Sequence, residues 1–247
     1  MNTVTALFQL EAKKLLRTWI ILGFGVAAPL FFLIMQTEVS NNSLELYGME
    51  IAPIDFTFPM FAFLSVVVLA IGNVGIGFAY MRSIYFFRRL RLASVKSTQF
   101  ITANFLVQLL CAIFTIILLF AVATTQYSMS LDGKNLFIFG SILFLSFMMC
   151  YFIGVFIGNL TTDPKTSQTL SMGVYFVIIF LGGVTFPTEL MPDFMQSVAN
   201  VLPTTHAVKI LQISWNGGDI WESYHLIYVM VTTVVVGLLS FRFFKYD

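Results

Sequence analysis

Few side chains in this sequence are able to do catalytic or metal chemistry, and their spacing does not assemble a reactive site. The two histidines, His206 and His225, do not form the H-E-x-x-H pair of a helical zinc hydrolase. The two cysteines, Cys111 and Cys150, lie within apolar runs, where a thiol behaves as a small buried hydrophobe. No serine, cysteine or aspartate in these runs has an obvious base partner. We therefore expect no catalytic residue and no metal ligand.

The chain also lacks its own means of using a nucleotide. It contains no G-x-x-x-x-G-K-[ST] loop, whose amides and lysine hold phosphates, so no cofactor is expected in this chain. The apolar runs have almost no ionisable side chain at mid-depth, where ion-coupled carriers place them. Asn73, Asn104 and Gln108 are the main polar exceptions. If the protein moves a solute against a gradient, the energy has to enter through another polypeptide.

The composition is typical of a membrane protein. Hydrophobic residues make up 58% of the chain and charged residues 10%, whereas soluble domains are about 25% charged. The mean hydropathy is +0.90. Runs long enough to cross a bilayer, about 20 residues, are residues 19–35, 56–80, 100–124, 136–158, 170–186 and 226–241. We predict an all-α polytopic membrane protein of six transmembrane helices, with residues 1–247 forming one domain.

The basic residues orient these spans. If the N-terminus is cytoplasmic, all of the 13 basic residues except Lys134 and Lys209 fall on cytoplasmic segments, as the positive-inside rule requires. We therefore predict a multi-pass protein of the cell membrane with both termini in the cytoplasm. The lipid bilayer is an expected partner and nucleic acid is not.

Two of the cytoplasmic segments combine basic and apolar residues. As a helix, residues 1–18 place apolar and basic side chains on opposite faces, which predicts an interfacial helix. A simple basic anchor explains this segment equally well. Residues 83–92 predict a second short helix, which presents a basic and aromatic surface to the cytoplasm. The alternative is that its arginines only enforce topology and bind anionic lipid.

Prolines interrupt the chain between the fifth and sixth spans. Residues 182–209 read GGVTFPTELMPDFMQSVANVLPTTHAVK. Pro187, Pro192 and Pro203 each fix φ and remove an amide donor, so that one helix cannot run through all three. Broken backbone at membrane depth is tolerated only where protein or a cavity covers it. These residues therefore predict short amphipathic pieces separated by breaks in the helix.

The order of these elements resembles the ABC-2 family, the membrane subunits of ABC exporters that include drug, antimicrobial-peptide and polysaccharide exporters. The resemblance covers nearly the whole chain. It consists of a basic amphipathic N-terminal helix, six spans and a cytoplasmic helix between spans two and three. Its most specific part is a G-x-x-F-P-x-x-x-x-P run from Gly183 to Pro192, followed by Leu202 and Pro203.

The resemblance implies a role for the segment 83–92, which would be the coupling helix that seats in a groove of an ATPase. The N-terminal helix, residues 1–18, would lie beside it. Candidate coupling residues are Arg82, Tyr85, Arg88, Arg89 and Arg91. Many family members carry a Glu-Arg pair at the cytoplasmic end of span two, where this chain has Met81 and Arg82.

The resemblance also implies a translocation path between two copies of the chain, lined by spans two and five. Candidate lining residues are Phe63, Asn73, Tyr80, Tyr175, Phe176 and Phe180. Residues 188–218 would form an external re-entrant element of two short helices. The candidate gate residues at this end are Phe186, Pro187, Pro192 and Pro203.

Taken with the residues, the resemblance implies the permease subunit of a bacterial ATP-driven exporter. It would work as a homodimer, or with a similar permease, and bind two copies of an ABC ATPase that hold ATP and Mg²⁺. The aromatic, uncharged path favours a hydrophobic or amphipathic solute such as a drug, an antimicrobial peptide or a lipid-like molecule. This chain itself would be no enzyme. The alternatives are a membrane sensor or immunity protein that transports nothing, and an ion-coupled secondary carrier.

Overall fold

A computed structural model describes residues 3–17, 19–47, 53–129, 131, 133–185, 188 and 191–243. Regular secondary structure in this part of the chain is entirely helical, which confirms the all-α part of the predicted fold class. The helices are α1 (Thr3–Arg17), α2 (Trp19–Tyr47), α3 (Pro53–Val67), α4 (Val74–Ser83), α5 (Phe86–Leu92), α6 (Ser97–Tyr127), α7 (Leu136–Leu160), α8 (Pro164–Leu181), α9 (Asp193–Ala199), α10 (Pro203–Trp215) and α11 (Tyr224–Arg242). A π-helical segment, Val68–Asn73, joins α3 to α4.

Four of the described helices are long and apolar enough to cross a membrane. They are the continuous helix Pro53–Ser83, α6, α7 and α11, and they support the prediction of a polytopic helical membrane protein. In α2 the apolar stretch Gly25–Val39 is shorter. The 18 residues of α8 begin with a mostly polar sequence, Pro-Lys-Thr-Ser-Gln-Thr. A helix therefore occupies each predicted position, while the total of six spans stays a prediction.

The continuous helix Pro53–Ser83 is the centre of the bundle. Its first half, α3, is apolar all round and buries Phe58, Phe61, Phe63 and Leu64 almost completely, as expected for a helix with neighbours on every side. It packs against α2, α6, α7 and α10, and α4 packs against α7 and α8. α2, α6, α7, α8 and α10 are thus arranged around this helix.

Small residues let α7 approach this central helix closely. A Cβ added at Gly154 would lie 2.3 Å from the Ala70 carbonyl oxygen, and one added at Gly158 would lie 2.9 Å from that of Gly75. The Ser167 hydroxyl of α8 donates to the Gly75 carbonyl at 3.0 Å. This G-x-x-x-G pair therefore packs within one chain, because its backbone contacts are made by the central helix.

A polar and aromatic cluster closes the end of the bundle opposite α5. Asp55, at the start of α3, pairs with Lys134 and accepts a hydrogen bond from Trp215 Nε1 at 3.1 Å. The Lys134 ammonium also lies 4.5 Å from the centre of the Trp215 ring, a cation–π distance. Phe58 and Phe139 pack on the same indole. The cluster joins α3, α10 and the α6–α7 connection.

Candidate functional site

A turn with left-handed backbone geometry separates α5 from α4. Tyr85 has φ 57°, a region that non-glycine residues rarely occupy. Because of this turn, α4 ends at Ser83 and α5 begins at Phe86. The helix predicted over residues 83–92 therefore starts three residues later and is separated from α4 by the turn.

Two aromatic side chains hold α5 against the bundle. Phe87 is 1% exposed, and its ring centroid lies 5.3 Å from Phe100 and 5.8 Å from Phe78. Phe86 packs on Phe100 at 5.7 Å. Tyr85 stays 60% exposed. The predicted aromatic cluster thus divides into a buried ring (Phe87), a half-buried ring (Phe86) and a surface ring (Tyr85), and the first two fix α5 to α4 and α6.

The arginines of α5 form an exposed basic surface. Arg88, Arg89 and Arg91 are all exposed. The Arg88 guanidinium carbon lies 5.1 Å from the centre of the Tyr85 ring, and Arg89 donates to the Ile84 carbonyl at 3.0 Å. Planar guanidinium groups on a surface are suited to binding carboxylates. We define these three arginines and Tyr85 as the α5 surface.

Arg82 does not belong to the α5 surface. It is 4% exposed and donates to the carbonyl oxygens of Gly158 and Asn159 at 3.3 and 3.0 Å, and to the Asn159 side chain at 2.7 Å. Asn159 in turn donates to the Ser240 carbonyl of α11 at 3.0 Å. Arg82 therefore connects α4 to the ends of α7 and α11.

A cavity of about 350 Å³ lies among α1, the π-helical segment, α4 and α6. Asn73 and Tyr80, both predicted to line a path, are in its wall. Its other polar lining residues are Glu11, Lys14, Asn104 and Gln108. Cavities of this size lie at the lower end of the range for small-molecule sites.

Glu11 is the centre of a buried polar cluster beside this cavity. It is 3% exposed, and its Oε2 accepts a hydrogen bond from Asn104 Nδ2 at 2.8 Å. Lys14 Nζ lies 3.7 Å from the same oxygen. The Tyr151 hydroxyl lies 3.1 Å from Asn104 Oδ1 and 3.0 Å from the Ile101 carbonyl. The cluster links α1 to α6 and α7.

The sequence reasoning missed Glu11. Two signals were available: Glu11 is the one acidic residue within residues 1–18, and Asn104 and Gln108 stand four positions apart on one face of α6. A lone acid on a basic helix and an amide pair in an apolar helix need partners. For Asn104 that partner is Glu11.

The other predicted path residues fall into two separate places. Phe63 is fully buried in α3 and contributes to the core. Phe176 and Phe180 lie on the outer face of α8, 53% and 56% exposed, with ring centroids 6.3 Å apart. Tyr175 lies beside Phe176 and is half-buried. One copy of the chain therefore does not bring all six residues to one surface.

The predicted gate residues are only partly described. Phe186 and Pro187 lie outside the described residues. Pro192 is exposed and precedes α9, while Pro203 is the first residue of α10. The two short helices lie in the predicted segment 188–218. α10 is largely buried against α3, α7 and α11, whereas Phe194 on α9 is 78% exposed.

The two histidines hold α10 to the start of α11. His206 Nε2 lies 3.0 Å from the Asn200 carbonyl, which can only accept, so this nitrogen carries the proton. His206 Nδ1 then accepts from His225 Nδ1 at 2.6 Å. Burial lowers the pKa of His206, and the charge of Lys209 lowers it further. Within the described ranges no group of three or more His, Cys, Asp or Glu residues is placed to hold a metal.

Comparison with known proteins gives the chain a family likeness. Residues 2–215, from α1 to the end of α10, match the sequence profile of a family described as ABC-2 type transporter. The chain is 22% identical over 253 residues to "Putative transport permease YvfS" of Bacillus subtilis (strain 168), covering 99% of this chain and 98% of YvfS. It is 25% identical over 123 residues to ABC transporter G family member 20 of Dictyostelium discoideum, covering 48% of this chain and 16% of that protein.

Proposed function

Because the chain belongs to the ABC-2 type transporter family and is an ABC transporter permease, we propose that it forms the translocation path of an ATP-driven exporter. The family implies an ABC ATPase as partner, and we propose that two copies of this separate subunit supply the energy. The permease would sit in a bacterial cell membrane with both termini in the cytoplasm. The observation that carries this proposal is the α5 surface, anchored to the bundle and basic outside.

The α5 surface has the properties that a mechanical contact with an ATPase requires. Its arginines are exposed for binding acidic groups, while Phe86 and Phe87 lock the helix to α4 and α6. A displacement of α5 is then passed to those helices, since packed aromatic contacts resist deformation. Arg82 extends the connection to α7 and α11. Its proposed part in coupling is thus to transmit movement from inside the bundle.

The outer face of α8 supports a path between two copies of the permease. Phe176 and Phe180 are about half exposed, and no charged side chain occurs in α8 beyond Lys165 in its first turn. Tyr80 of α4 is also 52% exposed. If a second copy faces these rings, the space between them is aromatic and uncharged. Such a path favours hydrophobic or amphipathic solutes, including drugs, antimicrobial peptides and lipid-like molecules.

The re-entrant element would close this path on the external side. α10 is held by the Asp55 cluster and by the histidine pair, so it is a fixed part of the bundle. α9 carries the exposed apolar side chains of Phe194 and Met195, and Val201 is exposed in the turn that follows it; these side chains suit contact with lipid or with a second copy. The gate role of Pro192 and Pro203 is to keep these two helices short.

Affinity purification from native membranes in mild detergent tests the proposal. We expect an ABC ATPase to co-purify with the permease, and ATP hydrolysis to be lost when Arg88, Arg89 and Arg91 are all changed to Glu. The matched control is Lys165→Glu, which reverses an exposed charge outside the α5 surface and leaves hydrolysis unchanged. Recovery of intact permease without any nucleotide-binding partner contradicts the exporter and favours a sensor or a carrier.

A further inference from the structure

Two residues in the wall of the cavity beside α1 each have a buried oxygen atom without a hydrogen-bond donor. These atoms are Glu11 Oε1 and Gln108 Oε1. Both residues line the cavity, and they are 3% and 4% exposed. Buried polar atoms in folded proteins nearly always have a partner. The two oxygens therefore mark a place where a donor is needed.

The acidic side chain is held in position by its other oxygen. Asn104 donates to Glu11 Oε2, and Tyr151 holds Asn104 from the far side. Lys14 approaches the same oxygen, Oε2, at 3.7 Å. Supporting contacts of this kind keep a ligand-binding group in one geometry. They leave Oε1 of Glu11, a residue of the cavity wall, as the acceptor without a donor.

Apart from the polar residues Lys14, Asn73, Tyr80 and Asn104, the rest of the cavity wall suits an apolar body. Leu15, Val74, Ile76 and Phe78 line it together with Gly72. Gly72 and Asn73 belong to the π-helical segment, and such segments often occur at functional sites. A Cβ added at Gly72 would meet no atom within 4 Å, so the glycine leaves space that a ligand can fill.

We propose that this cavity binds an amphipathic molecule with a primary ammonium head group. Glu11 and Gln108 accept its N–H donors, and the apolar wall covers the first part of its chain. An ammonium group fits best because it brings several donors and a positive charge to an acidic side chain. The molecule is either an amine that the transporter exports or the ethanolamine head of a bilayer lipid. Only the first source rests on the proposed function.

Native mass spectrometry of the purified full chain in detergent tests the site, with dodecylamine as the probe. We expect one saturable binding event. Glu11→Gln and Gln108→Met each weaken it by at least about tenfold, as expected for a hydrogen bond to a charged group. Gly72→Leu fills the cavity and abolishes binding. Dodecyltrimethylammonium has the charge without the N–H donors and binds at least about tenfold more weakly.

Gly140→Leu is the matched control, because Gly140 lies in α7 away from the cavity and also has open space around its Cβ. It binds dodecylamine as the wild type does. If Glu11→Gln does not fold, Gly72→Leu and the methylated probe still show whether the cavity binds an ammonium group. Equal affinity in the wild type and Gly72→Leu, or equal binding of the two probes, overturns the proposal and leaves water as the partner of the two oxygens.

A competition arm distinguishes the two sources of the ligand. Displacement of dodecylamine by phosphatidylethanolamine, and not by phosphatidylcholine, assigns the site to a bilayer lipid. Binding that neither lipid displaces assigns it to an exported amine. These measurements need no ATPase. A permease that recruits its ATPase but binds no amine therefore disproves the site alone, and an amine-binding permease without an ATPase disproves the exporter alone.

Discussion

At the scale of single residues, Arg82 shows how a side chain can serve coupling without touching a partner. It is buried and makes its hydrogen bonds to the end of α7. We expect Arg82→Ala to lower the melting temperature in detergent by roughly 5–10 °C, because charge-assisted hydrogen bonds are lost and buried acceptors remain. The control is Arg88→Ala, which should change the melting temperature by less than about 2 °C. Unchanged stability with lost ATPase coupling would instead make Arg82 a contact residue.

The histidine pair His206 and His225, which joins α10 to α11, predicts that the stability of the protein depends on pH. The pKa of His206 is lowered by burial, so the unfolded chain binds the proton more readily than the folded one. Stability is then fully present above the unfolded value of about 6.5 and is lost as the pH falls through the lower folded pKa. Protonation of His206 also ends its acceptor role towards His225, beside Lys209. Tyr224 and Tyr228 pack on the same ring.

Melting temperatures measured from pH 8 to pH 5 check this expectation. The wild type should lose stability below about pH 6.5, and His206→Gln should show a flatter profile because its amide does not titrate. His206→Gln with the same decline as the wild type would place the titrating group elsewhere.

Residue-level contacts of this kind were beyond sequence reasoning. Arg82 was grouped with Arg88 because they are close in the chain, yet its partners stand 76 and 77 positions away. The turn at Tyr85 separates the two arginines in space. Glu11 and Asn104 are 93 positions apart. Such pairs follow from how helices cross, which a single sequence does not specify.

At the scale of elements, helix positions were predictable because each apolar run has to form a helix in lipid. The run from residue 136 to residue 158 became α7, Leu136–Leu160. The π-helical segment was not predictable, since its residues are as apolar as their neighbours. The crossing of α7 with the central helix was not predictable either, because the glycines of α7 do not by themselves identify the helix that they pack against.

This crossing gives a prediction for the packing of α7. Gly154→Ala places a methyl group 2.3 Å from the Ala70 carbonyl oxygen, so the helices must separate. We expect the melting temperature to fall by roughly 3–10 °C, the effect of about 1–3 kcal/mol of overpacking. Gly140→Ala on the same helix meets no atom within 4 Å and should leave the melting temperature unchanged or slightly raised. Equal behaviour of the two variants would contradict the crossing.

At the scale of the whole molecule, the family could be read from the order of elements, and the match over residues 2–215 confirms it. The way in which two permease copies would assemble has no comparable signature in the sequence. Phe63 was grouped with Phe176 as path lining, but it is fully buried in α3 while Phe176 is 53% exposed. Which apolar surface faces lipid, a solute or a second copy depends on partners that the chain alone does not contain.

A cross-linking experiment decides whether the aromatic face of α8 meets a second copy. In a background with Cys111 and Cys150 replaced, we expect Phe176→Cys and Phe180→Cys each to give a dimer with a short bis-maleimide in native membranes. In a two-fold symmetric dimer, only positions near the symmetry axis lie close to their own counterparts, and the proposed path between the two copies puts these two rings near that axis. Phe137→Cys on α7, 84% exposed, is the control and should stay monomeric. Dimers from Phe137→Cys alone would move the interface to α7 and leave the rings of α8 facing lipid.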